Sequence, residues 1–207
     1  APEKIGSKAA ERSLARLGGR KVSTLTCPVL FRADIAPSLL RSLFGAIRGH
    51  AVYRRSTFLL DEVGSQIFPQ WVTIDEDPLR PRGQASAPFD NEGVATRFRE
   101  LISRGVLQGY LLDSYAARKL GLTSTGNAGG VRNAAIESSG QSFDMLLRDM
   151  DRGVLVTELM GQGVNTITGD YSRGAAGFWV ENGEIAFPVE EITIAANLRD
   201  MFGNLVA

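Results

Sequence analysis

One histidine, His50, and one cysteine, Cys27, bound what this 207-residue chain can catalyse with its own side chains. An intrachain disulfide, a Cys/His zinc cluster and a two-histidine HExxH helix are all excluded. A Cys27/His50 dyad stays formally open, yet Cys27 abuts Pro28 beside an apolar run and reads as a small buried hydrophobe. Gly140-Gln141-Ser142-Phe143-Asp144 begins like a nucleophile elbow, but Asp144 stands where the second glycine belongs. Neither Lys21 nor Lys119 sits in a phosphate-binding loop. Among the carboxylates, Asp75-Glu76-Asp77 before Pro78 reads as a solvated turn, and Asp61-Glu62 as a helix start or turn. Neither has the further ligands and glycine of an alternate-site metal loop.

The richer stretch is Gly161-Gln162-Gly163, followed by Asp170-Tyr171-Ser172-Arg173-Gly174. Six glycines between 161 and 183, interleaved with polar side chains, suit a backbone that another chain or a ligand approaches closely. Tight turns between strands would also need them. Arg173 beside Asp170 is either an internal ion pair or a carboxylate clamp.

Periodicity says which elements must position these residues. Ala9, Ala10, Leu14 and Leu17 predict an amphipathic helix over 6–20, stopped by Gly18-Gly19. Val29-Leu30-Phe31 predicts a buried strand, and Pro37 opens a helix with a broad apolar face of Leu39, Leu40, Leu43, Phe44 and Ile47. Trp71-Val72-Thr73-Ile74 should be a strand, and 95–112 a hairpin across Arg104-Gly105. A short helix near Tyr115–Leu120 ends at Gly121, and 123–130 is a loop by composition. Ser142–Arg152 reads as a helix, Val154–Met160 as a strand, and Ala175–Val180 with Ile185–Val189 as a hairpin about Asn182-Gly183. Asn197–Leu205 is a last helix or turn. Helices and hairpins in separate blocks predict an α+β fold with a largely antiparallel sheet and several packed helices, as a single domain over 1–207.

Composition agrees: 43% hydrophobic and 22% charged residues are globular proportions, and a chain this long buries roughly 70% of its unfolded surface. The formal charge is zero but polarised, with nine basic and three acidic residues in 1–50 against three and eight in 151–207. Scattered surface charge produces such asymmetry as readily as a partner surface does. No stretch approaches the ~20 apolar residues of a membrane helix, so no membrane association is expected, and a lone cysteine fits a reducing cytoplasm.

Longer motifs then carry a resemblance. Thr157–Gly163 (TELMGQG), Thr168–Gly177 (TGDYSRGAAG), Phe178–Glu184 and Glu191–Ala195 resemble the TldD/PmbA family, in its PmbA (TldE) branch. Ser114–Leu122, Ser124–Gly130 and Val52–Asp61 fit the same branch. The resemblance covers essentially the whole chain and implies the carboxy-terminal portion of a longer polypeptide. It also implies a cytoplasmic heteromeric metalloprotease that degrades unstructured peptides, trims a microcin precursor and an antitoxin, and carries the label modulator of DNA gyrase. In that family the zinc belongs to the TldD branch, on an HExxxH helix plus a cysteine near the carboxy terminus.

In register from Val29-Leu30, that motif falls on Arg32–Pro37, where Arg32, Ala33 and Pro37 replace His, Glu and His. Zinc hydrolysis needs about three protein ligands and a carboxylate base. This chain is therefore expected to hold no zinc and no catalytic residue, and to work beside a TldD-type zinc-bearing subunit on unfolded peptides, with self-association open. Asn127, Gly161, Gln162, Gly163, Asp170, Tyr171, Ser172 and Arg173 are the candidates for substrate or partner contact. Two alternatives remain: a stand-alone peptidase, and a regulator that binds gyrase or DNA. No helix pairs a dense basic stripe with base-reading groups, so nucleic-acid binding is not expected.

Overall fold

The computed structural model describes residues 2–206. In chain order the elements are α1 (Pro2–Leu14), β1 (Val29–Phe31), α2 (Pro37–Ala46), α3 (Gly49–Tyr53), β2 (Ile74–Glu76), β3 (Arg99–Ser103), β4 (Val106–Leu107), α4 (Ser114–Leu120), β5 (Ala134–Ile136), α5 (Phe143–Met150), β6 (Gly153–Met160), β7 (Asp170–Glu181), β8 (Glu184–Asn197) and α6 (Leu198–Gly203). Where a single domain over 1–207 is expected, internal packing separates two compact units. One holds the chain through Ser38 with Gly140–Gly163 and Ser172–Ala195; the other holds Leu39–Ser139, Val164–Tyr171 and Ala196 onward.

The first unit is built on a four-stranded sheet in the order β1-β6-β7-β8. β1 runs parallel to β6, pairing Val29 with Val154 and Phe31 with Val156, while β6 and β7 are antiparallel. Both faces of β6 are covered, which is why Val154-Leu155-Val156 is uniformly apolar. Val154 and Val156 pack with Ala175, Trp179 and Val189 on one face. Leu155 packs with Val180 and Leu147 of α5 on the other. Each such side chain contributes roughly 1.5–3 kcal/mol when fully buried. Asn182 and Gly183 turn β7 into β8, both at positive φ (55° and 73°), as a two-residue hairpin requires. The pairing of β6 with β7 slips between Val156 and Glu158, leaving Thr157 as a bulge. Gly177 faces Leu155 so closely that a Cβ there would collide with the Leu155 carbonyl oxygen.

The second unit carries a wholly antiparallel sheet in the order β4-β3-β2-β5. Strict alternation predicts one buried face for β3, yet Leu101 and Ile102 are both fully buried. A register shift explains it: Ile74 pairs with Ile102 and Asp75 with Glu100, so Leu101 has no partner of its own and turns inward. Leu43, Ile47, Leu59, Ile74, Leu107 and Leu198 complete this core, all fully buried. Asp113 caps α4 by accepting from the Ala116 N–H, and Asn197 caps α6 through Arg199 N–H.

Four expectations need correction. The first helix runs Pro2–Leu14 rather than 6–20 and buries no residue, so Leu14 and Leu17 face solvent. The strand expected at Trp71–Ile74 begins only at Ile74; the Val72 carbonyl takes the Gly105 N–H of the β3–β4 turn, and the Thr73 carbonyl takes the Glu137 N–H one residue beyond the β2–β5 pairing. The hairpin expected over 95–112 pairs only across 99–107. Asp75-Glu76 is no solvated turn but part of the central strand β2, with Glu76 2% exposed. No helix among the described residues is long and apolar enough to cross a membrane.

Candidate functional site

β1 delivers the chain to Arg32, whose N–H continues the ladder to Val156 O at 3.0 Å. Residues 33–36 then turn, and Pro37, whose missing N–H costs nothing at a helix start, opens α2. The Arg32 guanidinium clasps Asp34 with both arms, Nε to Oδ1 at 2.5 Å and Nη2 to Oδ2 at 2.9 Å. Nη2 also donates to Thr157 O at 3.0 Å, the carbonyl that the β6 bulge has released from the sheet. Hydrogen bonding from Arg32 holds the Asp34 carboxyl below the ordinary carboxylate range, and Arg12, 3.7 Å from Oδ2, assists. Arg16 pairs with Glu158. Arg12, Arg16, Arg32, Thr157 and Glu158 line a shallow groove of about 490 Å³ together with Glu11, Ala15 and Phe178.

That donor set does not fit zinc. Arg32 is a permanent cation locked to a carboxylate, Ala33 carries no acceptor, and Pro37 has no side-chain donor. Among the described residues no group of three His, Cys, Asp or Glu is placed to hold a metal ion. Cys27 lies half-buried in the first unit, where burial pushes its thiol up and outweighs Arg152, leaving little thiolate for nucleophilic work. His50 belongs to the second unit.

The glycine-rich candidates fall on both units. Gly161, Gln162 and Gly163 are exposed in the turn after β6. Gly163 O accepts the Ser172 N–H at 2.6 Å, and a Cβ on Gly163 would strike the Ser172 carbonyl. Close backbone approach between two segments of this chain thus accounts for that glycine. Ser172 is exposed, and Arg173 is half-buried with its Nε unpaired. In the second unit Asp170 takes the Thr168 hydroxyl at 2.6 Å and the Asn197 amide at 3.4 Å, while Tyr171 is 2% exposed.

Asn127 is the centre of a buried polar network rather than an exposed contact. Its amide nitrogen donates to both Glu76 oxygens, at 2.9 and 3.0 Å, and its oxygen accepts from Arg99 at 2.8 Å and Thr125 at 2.7 Å. Glu76 also takes the Arg132 N–H at 2.8 Å. Asp90 sits alongside, 3% exposed, receiving backbone N–H bonds from Glu92, Val94 and Ala128, each at 2.9 Å. Burial pushes that carboxyl up, but the three N–H donors together with Arg132 bring it below the ordinary range. Burial conversely pulls the Arg99 guanidinium down against the pull of Glu76. The network fixes the 124–133 loop against β2 and β3. Asp90, Arg99 and Arg132 were not singled out from the sequence, and Glu76 reads there as part of a solvated turn; the signal for its burial was the period of two through Val72, Ile74 and Glu76, which carries the buried face into the acidic run.

Known sequences and solved structures match this chain over nearly its whole length. Residues 24–207 match the PmbA/TldA metallopeptidase C-terminal domain, and the chain belongs to the PmbA/TldD family. It is 58% identical over 99% of its length to metalloprotease PmbA of Escherichia coli O157:H7, covering 46% of that protein. It is 33% identical to a candidate modulator of DNA gyrase from Bacteroides thetaiotaomicron, with a TM-score of 0.93, covering 98% of this chain and 46% of that one. TldE from Thermococcus kodakarensis matches at 27% identity and a TM-score of 0.84, over 97% of this chain and 48% of that one. The chain therefore spans about half the length of the relatives it matches.

Proposed function

We propose that this chain is part of a PmbA-type, non-catalytic subunit of a peptide-degrading metalloprotease, acting in the cytoplasm beside a TldD-type subunit that supplies zinc. The observation that carries this reading is Arg32: where the family's zinc pattern calls for a ligand, a guanidinium is bound to Asp34 and to Thr157 O. Such a group offers no lone pair, and removing it would leave the Thr157 carbonyl without its guanidinium donor and Asp34 with only the more distant Arg12.

The chain's own contribution would be to hold substrate. β8 is the outer strand of its sheet, and between Arg20 and Val189 a single bridge touches it on that side. Other N–H and C=O groups along its 14 residues can take an extended peptide main chain to main chain. Unfolded chains offer that geometry along their whole length, folded ones only at an exposed strand edge, which is what supports unstructured peptides as the substrate class.

The test is metal analysis and cleavage of an unfolded peptide, for this protein alone, for its TldD-type counterpart, and for the mixture. Zinc and cleavage should appear together only when the counterpart is present, and Cys27→Ala should leave the mixture's activity unchanged. Cleavage by this protein alone, abolished by Cys27→Ala, would sink the proposal and favour a stand-alone peptidase.

A further inference from the structure

The contact between α3 and α4 builds a surface in the second unit that the reading above does not use. The His50 and Tyr53 rings meet edge to face, centroids 5.6 Å apart, and Tyr53 meets Tyr115 in the same way at 5.6 Å. Cations sit on this chain of rings: Lys119 Nζ lies 5.6 Å from the Tyr115 centroid and the Arg54 guanidinium 5.8 Å from that of Tyr53. Arg54 Nε also donates to Tyr53 Oη at 3.3 Å. Tyr115 is 51% exposed, and Arg48, His50, Arg54, Arg118 and Lys119 are exposed around it.

Charge balance sets the patch apart from the groove beside Arg32. The groove beside Arg32 neutralises its arginines with Asp34 and Glu158. Here, among the described residues, none of Arg48, Arg54, Arg118 and Lys119 has a carboxylate within ion-pair distance. The nearby acids are committed elsewhere: Asp113 caps α4, Glu92 accepts the Ser114 N–H at 2.8 Å, and Asp61 lies 3.9 Å from Arg55. Lys119 and Arg118 also lie in the last turn of α4, so two cations gather at one helix end. Tyrosine and arginine together are the composition of protein-binding hot spots.

The rings discriminate between anionic partners. A single-stranded nucleic acid stacks successive bases on roughly parallel faces, but these rings stand at 78° and 73° to one another. We propose that the α3–α4 patch docks an acidic segment of another polypeptide. Its carboxylates draw Arg54 and Lys119 off the tyrosine faces, and an apolar side chain between them packs on Tyr115. This is independent of the peptide-holding role assigned to the β8 edge.

The experiment uses the purified protein, a fluorescent peptide alternating Glu and Leu, its Gln-for-Glu counterpart, and a polythymidine oligonucleotide of similar length. The acidic peptide should bind, weaken as salt is raised, and be far preferred to both controls. The combined variant Arg54→Gln, Lys119→Gln, Tyr115→Ala should lose affinity by roughly tenfold or more while keeping its melting transition; Arg80→Gln, at another exposed arginine of the same unit, should bind as the parent does. Hydroxyl-radical labelling should modify Tyr53 and Tyr115 in the free protein and spare them with the acidic peptide. Equal binding of the Gln peptide, equal or tighter binding of the oligonucleotide, or an unaffected triple variant would overturn the proposal. So would Tyr115 already protected in the free protein, since another part of the polypeptide or a second copy would then occupy the patch.

Discussion

Asp90 shows how a side chain with no part in chemistry can set the acid limit of a fold. Its carboxylate accepts three backbone N–H groups, two from the 90–94 turn and one from Ala128. Its folded pKa lies below the ordinary 3.8, so the unfolded chain binds the proton first. The stabilisation is complete above that ordinary value and drains away as pH falls through the folded one. Asp90→Ala should cost about 3 kcal/mol at neutral pH and flatten the acid limb of a plot of unfolding free energy against pH; a variant with the parent's acid slope would refute this account. Asn127→Ala, which takes a buried partner from both Glu76 and Arg99, should cost about 3 kcal/mol as well, read from denaturant melts. Neither role was legible in the sequence. Asn127 stands in a run of Gly, Thr and Ser that composition assigns to an exposed loop, and burial of a polar residue depends on partners more than twenty residues away, which local pattern does not encode.

At the scale of elements, local signals read well where one segment decides its own state. The Asn182-Gly183 turn, the Arg104-Gly105 turn, the Pro37 helix start and the Gly121 stop all lie where residue type places them. They read poorly where neighbours decide. The β2 strand starts late because the Val72 carbonyl is taken by the Gly105 turn, and the bulge at Leu101 defeats strict alternation. Two consequences can be measured. Gly177→Ala should break the β6–β7 register, since the new methyl meets a backbone carbonyl that cannot swing aside, and the loss should exceed about 2 kcal/mol in thermal or denaturant melts. Helix α1 is the opposite case: thirteen residues with no buried side chain lie near the limit of what a helix can sustain unaided. Its amides should exchange with deuterium far faster than those of β6, and slow exchange there would show that something covers it.

At the scale of the whole molecule, each unit is assembled from separated stretches of chain. β7 begins in one unit at Asp170-Tyr171 and continues in the other from Ser172. Within the second unit Phe202 stacks on Phe68 at 4.7 Å, Arg199 reaches Glu62 at 2.7 Å and the Phe58 carbonyl at 2.8 Å, and Thr166 O accepts the Phe58 N–H. Residues 39–139 expressed alone lack all of these partners. That fragment should show no cooperative melting transition, and a sharp one would contradict the assembly described. The fold class was readable from the block order of helices and hairpins, and the family from its long motifs. The interleaving was not, because connections between distant segments leave no periodicity in either.

The clasp of Arg32 on Asp34 and Thr157 bears on descent. A histidine at that position must give up two carboxylate bonds and a carbonyl bond before it offers one lone pair, and a histidine at position 37 forfeits the proline that starts α2. Single substitutions toward a zinc-ligand pattern therefore weaken the protein before any of them completes a ligand set. On the proposed reading, such a staple would act as a ratchet, holding the chain to a partner that supplies the metal.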